Sequence, residues 1–491
     1  MAEYKKTLTG TIPFLTTEAL KFHQKGDLHE AKNIYEQILN FKPKHFDALQ
    51  LLGILYGQLN EKNKAIDLLE SALKIQPDNA IALNNYGVVL TEIHRIEDAY
   101  VALNKATTIK PDYAEAFSNK GNALKLLGNY EDALEAYSEA IQINPDYAEA
   151  YNNRGALLKE FNKVDEALED LDKAINLKPN YPAANNTKGV SFLLKGDFKR
   201  GWPQYEWRWK DLTLPSKIRE FEEPLWTGKE SLKGKVILLY SEQGLGDTIQ
   251  FSRYLVLVKA LGAKVVLETH KPLLNILDSI ESGVEIIIKG QQLPRFDYQC
   301  PLMSLPLAFS TDLKSIPLSN HYILPNESLV LKWKKIIGNA KRPLIGIVWE
   351  GNPLHKNDHN RSIPLAELIK YLPEHFTYIG LQKDIRESNL KTLQKNSIIR
   401  NLVDDNVSLD ETAAIIKSLD IVISVDTSVA HLSAAMGKPT WILLPFAPDW
   451  RWLLGRDTSP WYKSAQLFRQ KERGSWKEIL EDLNNKLNSK F

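Results

Sequence analysis

A single cysteine, Cys300, in 491 residues excludes any intrachain disulfide. Its neighbours, Tyr298 to Leu302, read as the end of a buried strand, which assigns the thiol to packing and not to nucleophilic chemistry. Long apolar runs are also missing. Nothing approaches the roughly 20 residues of a membrane span, and the opening Met-Ala-Glu-Tyr-Lys-Lys has no signal-peptide core, so a cytoplasmic protein is expected. Charge of one sign is absent as well. The 62 basic residues are matched by 61 acidic ones, leaving a formal net charge of +1 without the basic footprint of a nucleic-acid binder. What remains is ordinary soluble composition, 43% apolar and 25% charged, on a chain too long for one core.

The feature that is present in abundance is repetition. Shifted by 34 residues, the sequence aligns Pro43, Pro77, Pro111, Pro145 and Pro179, and in the same register Gly53, Gly87, Gly121, Gly155 and Gly189. Two alanine columns accompany them: Ala31, Ala65, Ala99, Ala133 and Ala167, then Ala48, Ala82, Ala116, Ala150 and Ala184. This is the tetratricopeptide pattern of paired helices. Small Gly and Ala let the two helices of a unit approach, Pro ends the second helix, and units stack because one alone cannot bury its face. Five units over roughly 14–181 are expected, with a degenerate sixth starting at Ala183 that acts as a cap. The cap's aromatic tail, Gly201-Trp-Pro-Gln-Tyr-Glu-Trp-Arg-Trp209, reads as packing against the following domain in preference to a ligand surface.

One more column lies two residues before the glycines: Asn85, Asn119 and Asn153. It resembles the asparagine ladder of the O-GlcNAc transferase superhelix. There, evenly spaced amides, each both donor and acceptor, pair with the backbone of an extended peptide. The plainer reading, that Asn is common at this repeat position, stands beside it. Leu51 and Thr187 interrupt the column, so any protein-acceptor groove built on it is short.

Beyond a linker containing Pro215, Pro224 and Gly228 the 34-residue register vanishes and strand-helix alternation begins. Lys235–Tyr240 and Lys264–Thr269 form one set of β-rich runs; Leu344–Trp349, Phe376–Leu381, Ile421–Val425 and Thr440–Leu444 form another. Buried parallel strands read this way. The fold class is therefore α plus α/β. Residues 1–212 are an α-solenoid and 213–232 a linker; 233–342 and 343–491 are two Rossmann-like domains facing each other across a cleft, the GT-B architecture. The amphipathic stretch from Trp476 to Leu487 is expected, by analogy with such folds, to cross back onto the first of those domains.

Two loops carry chemistry. Ser241-Glu-Gln-Gly-Leu-Gly-Asp247 follows a strand and opens a helix; Gly244 and Gly246 permit close approach. It is not GxGxxG. Asp247 would repel a pyrophosphate, yet it is placed to take a proton from a hydroxyl, with a simple N-cap as the alternative. The second loop, Ser424-Val-Asp-Thr-Ser-Val-Ala-His431, leads from a buried strand into a helix whose N–H groups, with Thr427 and Ser428, suit an anion such as a nucleoside diphosphate. Arg361, in Asn357-Asp-His-Asn-Arg-Ser-Ile-Pro364, is the candidate cation. His431 reads as a packing histidine or a ligand, and Pro445-Phe-Ala-Pro-Asp-Trp-Arg-Trp452 as donor-pocket lining, with Trp450 and Trp452 equally assignable to the core. The C-terminal half has no Asp-x-Asp, so no metal or other cofactor is expected and a helix dipole with basic side chains must meet the diphosphate.

On these motifs, residues from about 233 to 475 resemble glycosyltransferase family 9, the ADP-heptose:lipopolysaccharide heptosyltransferases, and in particular its branch fused to tetratricopeptide repeats. The resemblance implies that Asp247, in Leu-Gly-Asp, is the base of an inverting, metal-independent transfer. It also implies that Asp426, Thr427, Ala430 and His431 match the donor-binding Asp-Thr-Gly-x-Ala-His, and that Arg361 replaces the phosphate-binding Lys of Lys-x-Trp-Pro. Ser428 stands where the family has Gly, and the Trp before Pro364 is missing. The implied function is sugar transfer from a nucleotide-diphosphate-sugar co-substrate to a protein docked by the repeats, flagellin being one acceptor that repeat-bearing transferases modify in some bacteria. Transfer to a lipopolysaccharide or lipid-linked precursor is the alternative acceptor reading, and an inactive transferase serving as a protein-interaction scaffold is the alternative class.

Overall fold

The computed structural model describes residues 2–211, 219–281, 283–317, 320–355, 357–404 and 406–491; Pro215 of the linker lies outside the described residues. The chain divides into two compact units. One runs to Leu158 and includes Asp165–Tyr181; the other comprises Lys159–Val164 with Pro182–Phe491.

In the first unit, helices pair as the 34-residue register predicts: Phe46–Gln58 with Lys62–Ile75, Ala80–Glu92 with Ile96–Ile109, and Ala114–Leu126 with Tyr130–Ile143. Each second helix stops two residues short of its proline, as at Ile75 and Ile109, because Pro disfavours helical backbone in the residue before it. Both alanine columns are fully buried. The glycines are sites of helix contact: a Cβ on Gly87 would lie 2.5 Å from Leu103 Cγ, and one on Gly121 2.6 Å from Tyr137. Two first helices are capped by side chains: Asn79 accepts the N–H of Ala82 at 3.0 Å and His45 that of Ala48 at 3.2 Å.

The second unit begins with the last helix pair of the array, Pro182–Leu194 and Phe198–Tyr205, and continues into two parallel sheets. The first sheet comprises β1 (Val236–Tyr240), β2 (Lys264–Thr269), β3 (Glu285–Ile288) and β4 (Tyr298–Pro301), in the order β3-β2-β1-β4. The second comprises β5 (Leu344–Val348), β6 (Thr377–Gly380), β7 (Ile399–Asn401), β8 (Ile421–Val425), β9 (Thr440–Leu444) and β10 (Ala465–Arg469), ordered β10-β9-β8-β5-β6-β7. In each sheet the strand order reverses once, between β1 and β4 and between β5 and β8. Such reversals open a crevice at the carboxyl ends of the strands, where ligands of open α/β sheets bind. Cys300 lies on β4, fully buried, and burial pushes its thiol pKa well up.

Of the cap's aromatic residues, Phe198, Trp202 and Tyr205 are part of this unit's core, and Trp207 and Trp209 are half-buried. Trp202 donates its indole N–H to the carbonyl of Thr311 at 2.9 Å and meets Trp450 edge-on at 5.4 Å, while Phe198 stacks on Trp461 at 5.7 Å. At the linker's end Gly228 has φ +89°, and a Cβ there would sit 2.0 Å from the carbonyl oxygen of Ala308, a close approach open only to glycine.

The final helix, Lys477–Lys490, corrects one expectation. It does not cross back to the first sheet. Ile479, Leu480, Leu483 and Leu487 bury into the core of the second sheet with Trp441, Tyr378 and Phe468, and Asn484 donates to the carbonyl of Tyr371 at 2.8 Å. Its apolar stripe faces the large aromatic residues presented by β6, β9 and β10, and burial of that stripe decides where it docks.

Candidate functional site

Both chemistry-bearing loops leave strands at the points of reversal: Ser241–Asp247 after β1, Asp426–His431 after β8. They touch. A Cβ on Gly246 would lie 2.9 Å from Cδ2 of His431, so glycine is needed there to let the two helix starts, of Leu245–Phe251 and Ser428–Ala435, come together.

Asp247 occupies the first turn of its helix. One carboxylate oxygen accepts the N–H of Gly244 at 2.9 Å, so that Gly244 is the N-cap and Asp247, three residues on, reaches back to it instead of capping the helix itself; the other oxygen is ion-paired with Arg451. Arg451 is 8% exposed and also holds Asp449 at 2.7 Å. Burial works against its charge, but Asp247 and Asp449 more than offset that and raise its pKa. Its guanidinium lies 4.4 Å from the centroid of Trp450.

At the second loop Thr427 does not cap the helix with its side chain; its hydroxyl pairs with that of Ser424 at 3.0 Å. The first-turn N–H groups at Ser428 are left without that cap. Arg361 donates to the carbonyl of Asp426 at 2.9 Å and to Asp358 at 3.2 Å. Burial lowers the Arg361 pKa, a cost that an added anion would offset. Asp358 is in turn paired with Arg386, which also meets the buried Glu350 at 3.4 Å. Gly351 makes room for this cluster: a Cβ there would fall 2.5 Å from both Arg361 Nη2 and Asp358 Oδ1.

Asp426 is pushed up to about 6, first by burial and then by the nearby charge of Asp449. His431 is 5% exposed, its Nδ1 2.9 Å from the Tyr462 hydroxyl, its ring stacked on Trp452 at 5.1 Å, and burial lowers its pKa to about 3. A neutral imidazole walled in by Gly246, Trp452 and Tyr462 occupies the packing position of the two sequence readings. Thr427, Ser428, Asp426 and Arg361 thus cluster at one crevice with Asp247 across it, and Trp450 and Trp452 are core.

The Asp247 loop is anchored from the cap. Arg208, fully buried, makes a two-point pair with Glu242 at 2.9 and 3.0 Å, and donates further to Glu206 at 2.6 Å and Ser304 at 2.8 Å.

Sequence reasoning missed Arg451, Asp449, Asp358, Arg386 and the Arg208–Glu242 pair. Asp358, Glu242 and Arg208 lie within the stretches 357–364, 241–247 and 201–209 singled out above, and Arg451 stands between the two tryptophans of Pro445–Trp452, but no local spacing marks these residues as partners.

The asparagine column lies in the repeat unit. Asn119 donates to the side chain of Asn84 at 2.9 Å and Asn153 to Ser118 at 3.4 Å, so part of their hydrogen-bonding capacity ties adjacent repeats together. Asn85, Asn119 and Asn153 are each partly exposed.

Family comparisons agree with both halves. Tetratricopeptide models match residues 46–79, 121–161 and 148–181, and the model of glycosyltransferase family 9 (heptosyltransferase) matches residues 379–474. Residues 46–79 and 121–181 are thus similar to tetratricopeptide repeats, and residues 379–474 to glycosyltransferase family 9. The family 9 match takes in Asp426, Thr427, Ser428, His431 and Arg451; Asp247 and Arg361 precede it. Protein FlbA of Caulobacter vibrioides is 24% identical over 313 residues, 59% of this chain and 52% of that protein, so the chain spans about half the length of the curated relative it matches. Among solved structures, MamA is 27% identical and covers 33% of this chain and 94% of its own at TM-score 0.30. PilF of Pseudomonas aeruginosa is 21% identical and covers 40% and 89% at TM-score 0.37. No described helix is long and apolar enough to cross a membrane.

Proposed function

We propose that the chain is an inverting, metal-independent glycosyltransferase of GT-B architecture. It moves a sugar from a nucleoside-diphosphate donor to a protein held by the repeats, with flagellin among the candidate acceptors. The observation that carries this reading is the contact of Gly246 with His431, which sets the Asp247 carboxylate opposite the uncapped start of the Ser428–Ala435 helix.

The diphosphate rests on the N–H groups at Ser428, the hydroxyls of Thr427 and Ser428, and the Arg361 guanidinium, which meet its charge in place of a metal. Asp247 takes the proton of the acceptor hydroxyl as its oxygen bonds to the sugar's anomeric carbon; the carbon–oxygen bond to phosphate breaks and its electron pair leaves with the diphosphate. Asp426 fixes Arg361 through its carbonyl oxygen, and His431 is a positioning residue that keeps the loops in register. Asn85, Asn119 and Asn153 offer their remaining amide valences to an extended acceptor segment.

A thermal-shift screen of nucleoside diphosphates and their sugars on the full chain, followed by a mass-spectrometric transfer assay, tests the reading. A nucleotide that raises the melting temperature, with transfer abolished and binding retained in Asp247→Asn, is expected. Undiminished transfer by that variant defeats the mechanism, and no shift with any nucleotide favours the scaffold reading.

A further inference from the structure

Resting on the donor-site reading above, we infer that Arg451 is shared between Asp247 and the donor's diphosphate. Its guanidinium neutralises the carboxylate until a diphosphate arrives at the Ser428 helix start and draws it away, so that Asp247 can act as a base only once the donor is in place.

The geometry is specific. Arg451 stands on the loop after β9 and reaches Asp247 on the opposite sheet's first helix, with Nη2 on Asp247 and Nη1 on Asp449. Its third donor, Nε–H, is buried and makes no hydrogen bond among the described residues. A guanidinium with two of its five N–H groups on carboxylates and its Nε–H unused can turn toward a further anion without losing every partner. Asp247, for its part, has one oxygen held by Gly244 and the other by Arg451. A carboxylate so occupied is a poor acceptor for a hydroxyl proton, and removing the guanidinium is what frees it.

Charge supplies the reason for the transfer. Asp247, Asp358, Asp426 and Asp449 gather around Arg361, Arg386 and Arg451, four carboxylates to three guanidiniums, and both Arg361 and Arg451 act electrostatically on Asp426 and His431. A diphosphate entering that cluster adds at least two more negative charges, and the phosphate oxygens outbid a single carboxylate for the shared cation. Trp450, against which Arg451 lies, is itself held by Trp202 and Tyr205 at 5.4 and 5.7 Å, so the swing is confined to the side chain. Binding is thereby ordered: donor before acceptor.

The test is calorimetric titration of ADP, UDP, GDP and CDP into the full-length wild type, D247N, R451Q and the double variant. Removing the carboxylate competitor should make D247N bind the preferred diphosphate about tenfold tighter than wild type, whereas R451Q should bind it about tenfold more weakly. In the double variant the tightening should vanish, leaving it equal to R451Q. R451K replaces R451Q if the latter does not fold, and D247N is informative by itself because it keeps the guanidinium. Diphosphates that bind wild type but bind D247N no more tightly, or a D247N gain that persists without Arg451, overturn the handover and leave the donor site standing. If none of the diphosphates binds wild type, the donor site and the handover fall together.

Discussion

Gly246 and His431, one from each loop of the site, are in contact so close that a Cβ on the glycine would lie 2.9 Å from the imidazole. Gly246→Ala should therefore push the loops apart, costing about 1–3 kcal/mol of stability and, through misplacement of Asp247, a larger fraction of activity. Gly244→Ala is the control, since a Cβ there meets only the Asp247 carboxylate at 3.3 Å. Urea unfolding with the transfer assay on both variants measures the difference; equal losses would show that the contact does not matter.

Arg208→Met should cost about 3–5 kcal/mol, because it leaves Glu242, only 2% exposed, buried without its counter-ion. Arg208→Met combined with Glu242→Met should recover most of that. A double variant no more stable than Arg208→Met alone in urea titrations would mean that the hydrogen bonds to Glu206 and Ser304 carry the stability instead.

Asp426 gives a pH signature. Its folded pKa, about 6, lies above the ordinary 3.8, so between those values the folded chain holds a proton that the unfolded chain does not. Stability falls as pH rises through that window, and the cost persists above it. Asp426→Asn has no charge to bury and should be more stable than wild type by about 3 kcal/mol at pH 7.5, the advantage shrinking toward zero near pH 4. Denaturation at the two pH values reads this directly; an advantage that grows on acidification has the wrong sign.

Cys300 should be silent toward a thiol reagent in the native protein and react once per chain on unfolding, since it is fully buried with its pKa pushed up. Rapid labelling under native conditions would place β4 among the easily opened segments.

In the repeats, Gly87→Ala should destabilise by about 1–3 kcal/mol, its Cβ falling 2.5 Å from Leu103 Cγ. Adding Leu103→Ala removes the obstacle, so the double variant should lose less than the sum of the two single changes.

Much of this was legible in the sequence because the responsible forces are local or periodic. Gly53, Gly87 and Gly121 recur wherever two helices must touch, and the apolar runs at β1, β5, β8 and β9 announce strands buried on both faces. The strands β3, β7 and β10 passed unnoticed for lack of length or a clean pattern, while β4 was legible only as the buried strand end around Cys300. Arg451 was hidden for another reason: its partner Asp247 lies 204 residues away, and no local spacing records a pairing made by the packing of two sheets. The final helix misled because its apolar stripe says that it docks without saying where.

The buried Arg208 and Trp202, both in the cap, mark where the repeat array can be exchanged. A chimera with foreign repeats joined in the stretch beyond residue 212 would sever Arg208 from Glu242 and strip Trp450 and Trp461 of their cover. A junction upstream of Pro182 carries the last helix pair along with the sheets, and with it the footing of the Asp247 loop.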